Sequence, residues 1–350
     1  MSFFEKKRFS SHCQALCFAL LFSMFAGFTS APVFAGGKKH IIKFATLAPE
    51  GSSWMKSMRA LASDIKDKSK GRAIFKFYPG GVSGDEKDVL RKMRIGQLHS
   101  AGFTGVGLGD ILPEVRALDI PFLFESDEEV VHVYNAMNDY FVKAFDDKGY
   151  VLLGWVPVGW VHFFSVSKIE SIDDLRRSRP WLWTGDPLVE ATYKSMGVNP
   201  IPLALPDVLM SLQTKMIDTV YGSPQGALAL QWFSRVKFMS SFRMGYATGG
   251  VLISKRKFSK LPEDIQTILK ASSKKYLGEL VKIIQGENKE SIEVMKKNGV
   301  QVNRELSDDA KGQFRKAGEK ARKELTNHLF SKKVLKKVES SIADFRLNKD

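Results

Sequence analysis

The sequence predicts an α/β protein, and three observations carry that prediction. Residues 40–104 alternate short strand-like runs with amphipathic helical stretches. Two later β-type runs, Trp181-Leu-Trp183 and Thr219-Val-Tyr221, each stop on glycine and proline. Residues 262–298 keep one apolar face at helical spacing throughout. Alternation of the first kind indicates a parallel sheet covered by helices. In open sheets of that class, ligands bind outside the carboxyl ends of strands. The two short runs, ending in Thr184-Gly-Asp-Pro187 and Gly222-Ser-Pro224, are therefore expected to line a ligand cleft.

Residues 40–47 read as a buried strand, with Ala48-Pro-Glu-Gly51 as the loop after it. Ser52 or Ser53 caps a helix in which Trp54, Met55, Met58, Leu61, Ala62 and Ile65 share a face, and Gly71 ends it. Residues 73–78 form a second strand closed by Pro79-Gly-Gly81, and 85–95 a helix with Val89, Leu90 and Met93 inward. A third strand, 97–104, runs into Gly105-Val-Gly-Leu-Gly109. A dinucleotide fingerprint needs G-x-G-x-x-G in the first βαβ unit. Here the spacing is G-x-G-x-G after a third strand, so the run reads as a flexible strand-to-helix turn near the cleft.

Pro121-Phe-Leu-Phe124 is a compact apolar run, followed by a helix through Val130, Val131, Val133, Tyr134 and Met137. Residues 150–156 and 160–166 are strands separated by Pro157-Val-Gly159, a natural crossing point between two lobes. Helices follow at 188–196 and 206–215, with a short one at 227–233, then strands at 235–239 and 250–254. Residues 262–298 start with Pro262, Glu263 and Asp264, suited to a helix N-terminus. At roughly 1.5 Å per residue such a helix spans ~50 Å, enough to cross two lobes. Residues 307–345 read as a basic, amphipathic helical tail.

The totals bound the class. Lys6, Lys7 and Arg8 precede an apolar stretch over 15–28, and Val33-Phe-Ala35 offers small residues for cleavage. Residues 1–35 thus read as a cleavable secretory signal peptide, too short to span a membrane. Neither cysteine stands in a lipobox, so the product is expected to be soluble in the periplasm. Cleavage after Ala35 removes 35 of the 350 residues, leaving 315, and takes both cysteines, Cys13 and Cys17, with it. An exported chain without cysteine rests on its core alone, and this length suffices for one or two domains. Lys6, Lys7, Arg8 and Glu5 depart too, so the formal charge of +15 becomes +13. Export and the absence of basic runs interleaved with aromatics argue against a nucleic-acid partner. The lysines of the C-terminal third alternate with Glu and Asp, as solvated helix faces do.

The chain carries little catalytic or metal-binding signal. His40, His99, His132, His162 and His328 are scattered, without metal spacing, and no cofactor is expected. Gly222-Ser-Pro-Gln-Gly226 resembles a nucleophile elbow only superficially, because G-x-S-x-G places glycine two before the serine.

An ordered set of motifs is more informative. Phe77-Tyr-Pro-Gly-Gly-Val-Ser-Gly-Asp-Glu86, Ile120-Pro-Phe-Leu-Phe124, Ile172-Asp-Asp-Leu175, Met196-Gly-Val-Asn-Pro-Ile-Pro-Leu203, Ser211-Leu-Gln-Thr-Lys-Met-Ile-Asp218 and Lys260-Leu-Pro-Glu-Asp264 fall in one sequence order. Together they resemble the landmarks of TRAP-transporter substrate-binding proteins of the DctP type, from about residue 40 to 300. The resemblance implies a two-lobe, type II periplasmic-binding-protein-like fold with a long helix spanning both lobes. Lobe I would comprise 36–157 and 249–287, and lobe II 158–248 and 288–350. It implies a monomeric, non-enzymatic binding protein that hands a small molecule to the small and large integral membrane subunits of a permease driven by an ion gradient. Two rivals stay open: a ligand sensor partnering a membrane receptor, and a cleft hydrolase.

Most members clamp a carboxylate with an arginine in a Lys-x-Arg-Val-Pro strand after Asp-Leu-Lys-Gly. Counting on from Asp174-Leu-Arg-Arg177, Trp181 takes the arginine's place, and Leu182 and Trp183 stand for the valine and proline. A second arginine of some members would fall near Val161. Tryptophan cannot replace a bidentate arginine–carboxylate pair. An aromatic wall favours a partly apolar or aromatic ligand. The expected ligand-binding residues are Trp181, Asp186, Tyr221 and Ser223, with Thr104, Trp54 and Trp160 behind them and Trp183 if the strand stays regular.

Overall fold

The computed structural model describes residues 38–348, and the expected signal peptide lies outside them. Five strands make the first sheet: β1 (His40–Ala45), β2 (Ala73–Tyr78), β3 (Ser100–Thr104), β4 (Tyr150–Trp155) and β11 (Gly249–Ser254). Their order is β2-β1-β3-β11-β4. β1 runs parallel to β2 and β3, as the opening alternation requires, and β11 inserts antiparallel between β3 and β4. Ser52 caps the Ser53–Lys68 helix through Met55 N–H, and Asp85 caps Glu86–Arg94.

The second sheet is centred on β5 (Gly159–Ser165). β8 (Thr219–Gly222) pairs antiparallel along one edge, and β9 (Phe238–Met239) and β10 (Gly245–Ala247) along the other. β12 (Gln301–Val302) extends it beside β9. β6 (Trp181–Trp183) pairs in parallel with β7 (Ile201–Leu203), and a Pro180–Thr219 bridge joins that pair to β8. The chain passes between sheets at Pro157-Val-Gly159. Asn288 on the long helix donates to the Val158 carbonyl there and accepts from Gln225 N–H.

The Glu263–Lys297 helix matches the 262–298 reading closely. Its Ile265, Leu269, Leu277, Leu280 and Ile284 join the core under the first sheet, and Met295 joins that of the second. One helix thus contributes to both cores.

Three sequence expectations need correction. The Gly105–Gly109 run is no flexible turn but the start of a helix, Gly105–Ile111, capped by Thr104. A Cβ on Gly107 would stand 2.6 Å from Glu86 Oε2 and collide with Phe103, so glycine is there for close packing. The basic tail is two helices, Asp308–Leu325 and Lys332–Leu347, broken where Asn327 adopts a φ of 67°. The second of them buries Val334, Val338 and Ile342 in the cluster that holds Phe141 and Phe145 of the Asp127–Asp147 helix. The third concerns residues 227–233: helix occupies Pro224–Ala229, and a 3₁₀ turn follows at Trp232–Ser234. β7, β10 and the 3₁₀ segment Pro113–Leu118 had no periodicity long enough to read.

Candidate ligand-binding site

Between the two sheets lies a cavity of about 230 Å³. The first sheet contributes β3 and the loops after β1 and around Asp119; the second contributes β5, β10 and the end of β8, and the β6–β7 pair contributes β6. Trp181 and Trp183 both line it and Leu182 does not, as the alternation of a regular strand demands. The Trp181 indole stacks on Tyr221 with centroids 4.8 Å apart and meets Trp232 edge-on at 5.5 Å. Its Nε1–H donates to the Leu203 carbonyl at 3.0 Å. Trp183 donates Nε1–H to Asp85 at 2.8 Å, and its backbone N–H donates to the Tyr221 hydroxyl at 3.2 Å. Trp54 closes the opposite side, its ring lying over Gly102, where a Cβ would stand 2.6 Å away.

The polar residues expected from sequence also reach the cavity, but each is engaged. Thr104 Oγ1 accepts from Val106 N–H and donates to Glu86. Ser223 Oγ accepts from Gly226 N–H as a helix cap. Asp186 caps the Pro187–Met196 helix through Leu188 and Val189 N–H. Trp160 is not among the lining residues. Its Nε1–H donates to Asp127, its ring meets Tyr246, and the Arg243 guanidinium sits over its face at 4.4 Å.

Sequence reasoning missed the charged residues of the site. Arg116, 4% exposed, projects from the 3₁₀ segment Pro113–Leu118. Its Nη2 lies 3.0 Å from Asp186 Oδ1 and 3.1 Å from Oδ2. Its Nε lies 3.0 Å from Asp119 Oδ2, a charge contact without a well-directed hydrogen bond. Burial opposes the Arg116 charge, yet Asp186 and Asp119 outweigh it and raise the guanidinium's pKa. Burial raises that of Asp119 against the pull of Arg116. Glu86, also lining the cavity, accepts from Thr104 N–H, Thr104 Oγ1–H and Gly107 N–H at 2.6–3.0 Å. Burial nonetheless pushes its carboxyl up to about 8. The available signal for Arg116 was a lone cation inside the apolar run 111–120. Glu86 was in view only as the last residue of a quoted motif.

Among the described residues, no group of three or more His, Cys, Asp or Glu side chains is placed to hold a metal ion. No described helix is long and apolar enough to cross a membrane.

An aromatic cavity between two sheets, with one long helix serving both cores, fits a two-lobe small-molecule-binding protein. The model of the bacterial extracellular solute-binding protein family 7 (DctP) matches residues 44–328, and the chain belongs to that family of TRAP-transporter solute-binding proteins. The family and its named homologues are binding proteins rather than enzymes. A solute-binding protein of Chromohalobacter salexigens is 28% identical over 47% of this chain and 49% of its own length. The 2,3-diketo-L-gulonate-binding periplasmic protein YiaO of Escherichia coli is 24% identical over 68% of this chain and 73% of its own. In fold, the chain is similar to the sugar acid binding protein DctPAm of Advenella mimigardefordensis in complex with galactonate. The TM-score is 0.82 at 18% identity, covering 88% of this chain and 99% of that one.

Proposed function

We propose that the protein captures a small, partly apolar or aromatic molecule in this cavity and delivers it to a TRAP-type permease driven by an ion gradient. The observation that carries the ligand reading is the wall itself: Trp181 stands at the arginine position, stacks on Tyr221, lies tilted against Trp183 and meets Trp232 edge-on. An indole there contributes apolar area and a π face rather than a fork for a carboxylate. Trp181, Trp183, Tyr221 and Trp54 form the apolar wall, and Asp186, Thr104 and Ser223 shape its polar edge. YiaO and DctPAm carry names or complexes of sugar acids; this chain's cavity suits a different chemistry.

The lobes are 36–157 with 249–287, and 158–248 with 288–350, the Lys332–Leu347 helix reaching back onto the first lobe. The protein acts as a periplasmic monomer after loss of its signal peptide. Affinity capture from solubilised membranes of the producing cell tests the delivery step. Recovery of small and large integral permease subunits is the expected result. Recovery of a signalling receptor in their place would favour the sensor reading.

A further inference from the structure

Arg116 is the one cationic side chain lining the cavity among the described residues, and the acidic lining residues are Glu86, Asp119 and Asp186. Two of its three nitrogens already face carboxylates of this chain. Asp186 is 2% exposed and presents both oxygens to Arg116 Nη2, while Asp119 lies against Nε. Asp186 arrives on the turn after β6 as the cap of the Pro187–Met196 helix, and Arg116 on the Pro113–Leu118 segment, so two separate elements bring the pair together at the cavity. A carboxylate entering this space would compete with Asp186 and Asp119 for Arg116 and would add an anion beside those two in a low-dielectric site.

We infer that Asp186 is a built-in carboxylate that occupies the place on Arg116 where a ligand's carboxylate would sit, making it a specificity-determining residue that selects uncharged or cationic ligands over anionic ones. This rests on the reading of the cavity as the ligand site and adds the charge class of the ligand and the residue that sets it. The aromatic wall supports the same class, because indole and phenol faces attract cations and tolerate neutral rings. Asp186 also caps a helix, so replacement by asparagine, itself a favoured cap, removes the charge while keeping an acceptor in place.

Three probes with one aromatic body and different charge test it by calorimetric titration of the mature chain: indole-3-acetate, indole-3-acetamide and tryptamine. The wild-type protein is expected to bind the amide or the amine at least about tenfold more tightly than the acetate, a gap of about 1.4 kcal/mol. In Asp186→Asn, affinity for the acetate relative to the amide is expected to rise by about tenfold. Wild-type preference for the acetate overturns the inference, and needs no variant to fold. An unchanged acetate-to-amide ratio in folded Asp186→Asn overturns the role of Asp186. Binding of none of the three to either protein overturns the aromatic-cavity reading and the inference with it, which sets that failure apart from the other two.

Discussion

Trp181 is at once wall and core: 1% exposed, stacked on Tyr221, and hydrogen-bonded to Leu203. Trp181→Ala would therefore cost about 3–5 kcal/mol of stability as well as any contact with ligand. Trp181→Phe keeps a ring and loses the indole donor and part of the stacking area. It should weaken binding of the true ligand about two- to twelvefold, given about 0.5–1.5 kcal/mol for an aromatic pair; an unchanged affinity removes Trp181 from the site. Glu86 and His162 make a second residue-scale statement, about pH. Burial holds His162 down to about 4, so between about 4 and 6.5 the unfolded chain binds the extra proton, and this contribution to stability grows as pH rises. Glu86 is pushed up to about 8 from 4.5, so the native state holds the extra proton and stability falls as pH rises across that window. The two oppose each other up to 6.5, and above it Glu86 acts without His162. The urea midpoint should decline between pH 6.5 and 8, and Glu86→Gln should flatten that decline; a slope that survives the substitution contradicts the assignment.

At the scale of elements, the Gly105–Ile111 helix and the long Glu263–Lys297 helix put the same residue type to opposite uses. Gly107 packs with Glu86 and Phe103 against it, whereas Gly286 has nothing within 4 Å of where a Cβ would stand. Alanine is the better helix former at both by about 1 kcal/mol. Gly286→Ala should raise the unfolding free energy read from urea titration by about 0.5–1 kcal/mol. Gly107→Ala should lower it by about 1–3 kcal/mol, because overpacking outweighs propensity. Equal effects at the two positions would refute the packing account. The contrast also marks what sequence can show about elements. The long helix was legible because its apolar face repeats for 35 residues. The glycine helix was misread as a turn because its propensity is poor, and the contacts that require glycine come from residues 86 and 103. β7 and β10, three residues each, are too short for any periodicity.

For the molecule as a whole, the parallel start of the first sheet, the crossing at Pro157-Val-Gly159 and the helix serving both cores were legible, since each leaves a local pattern. The aromatic half of the site was legible too, because Trp181, Trp183 and Tyr221 sit on strands that end in turn residues. The charged half was not. Arg116 and Asp186 are 70 residues apart in sequence, and nothing local to either announces the other. Their pairing exists only once the chain has folded, and it sets what charge the cavity accepts. Removing one partner of such a buried pair typically costs about 3–5 kcal/mol, so Arg116→Met should lower the thermal midpoint by several degrees. A midpoint within a degree of wild type would show that the pair contributes little to stability. The direct measurement is native mass spectrometry of the protein as purified, followed by release and identification of whatever it carries. An uncharged or cationic molecule with an aromatic or apolar body is the expected finding. A tightly held dicarboxylate or sugar acid would contradict it.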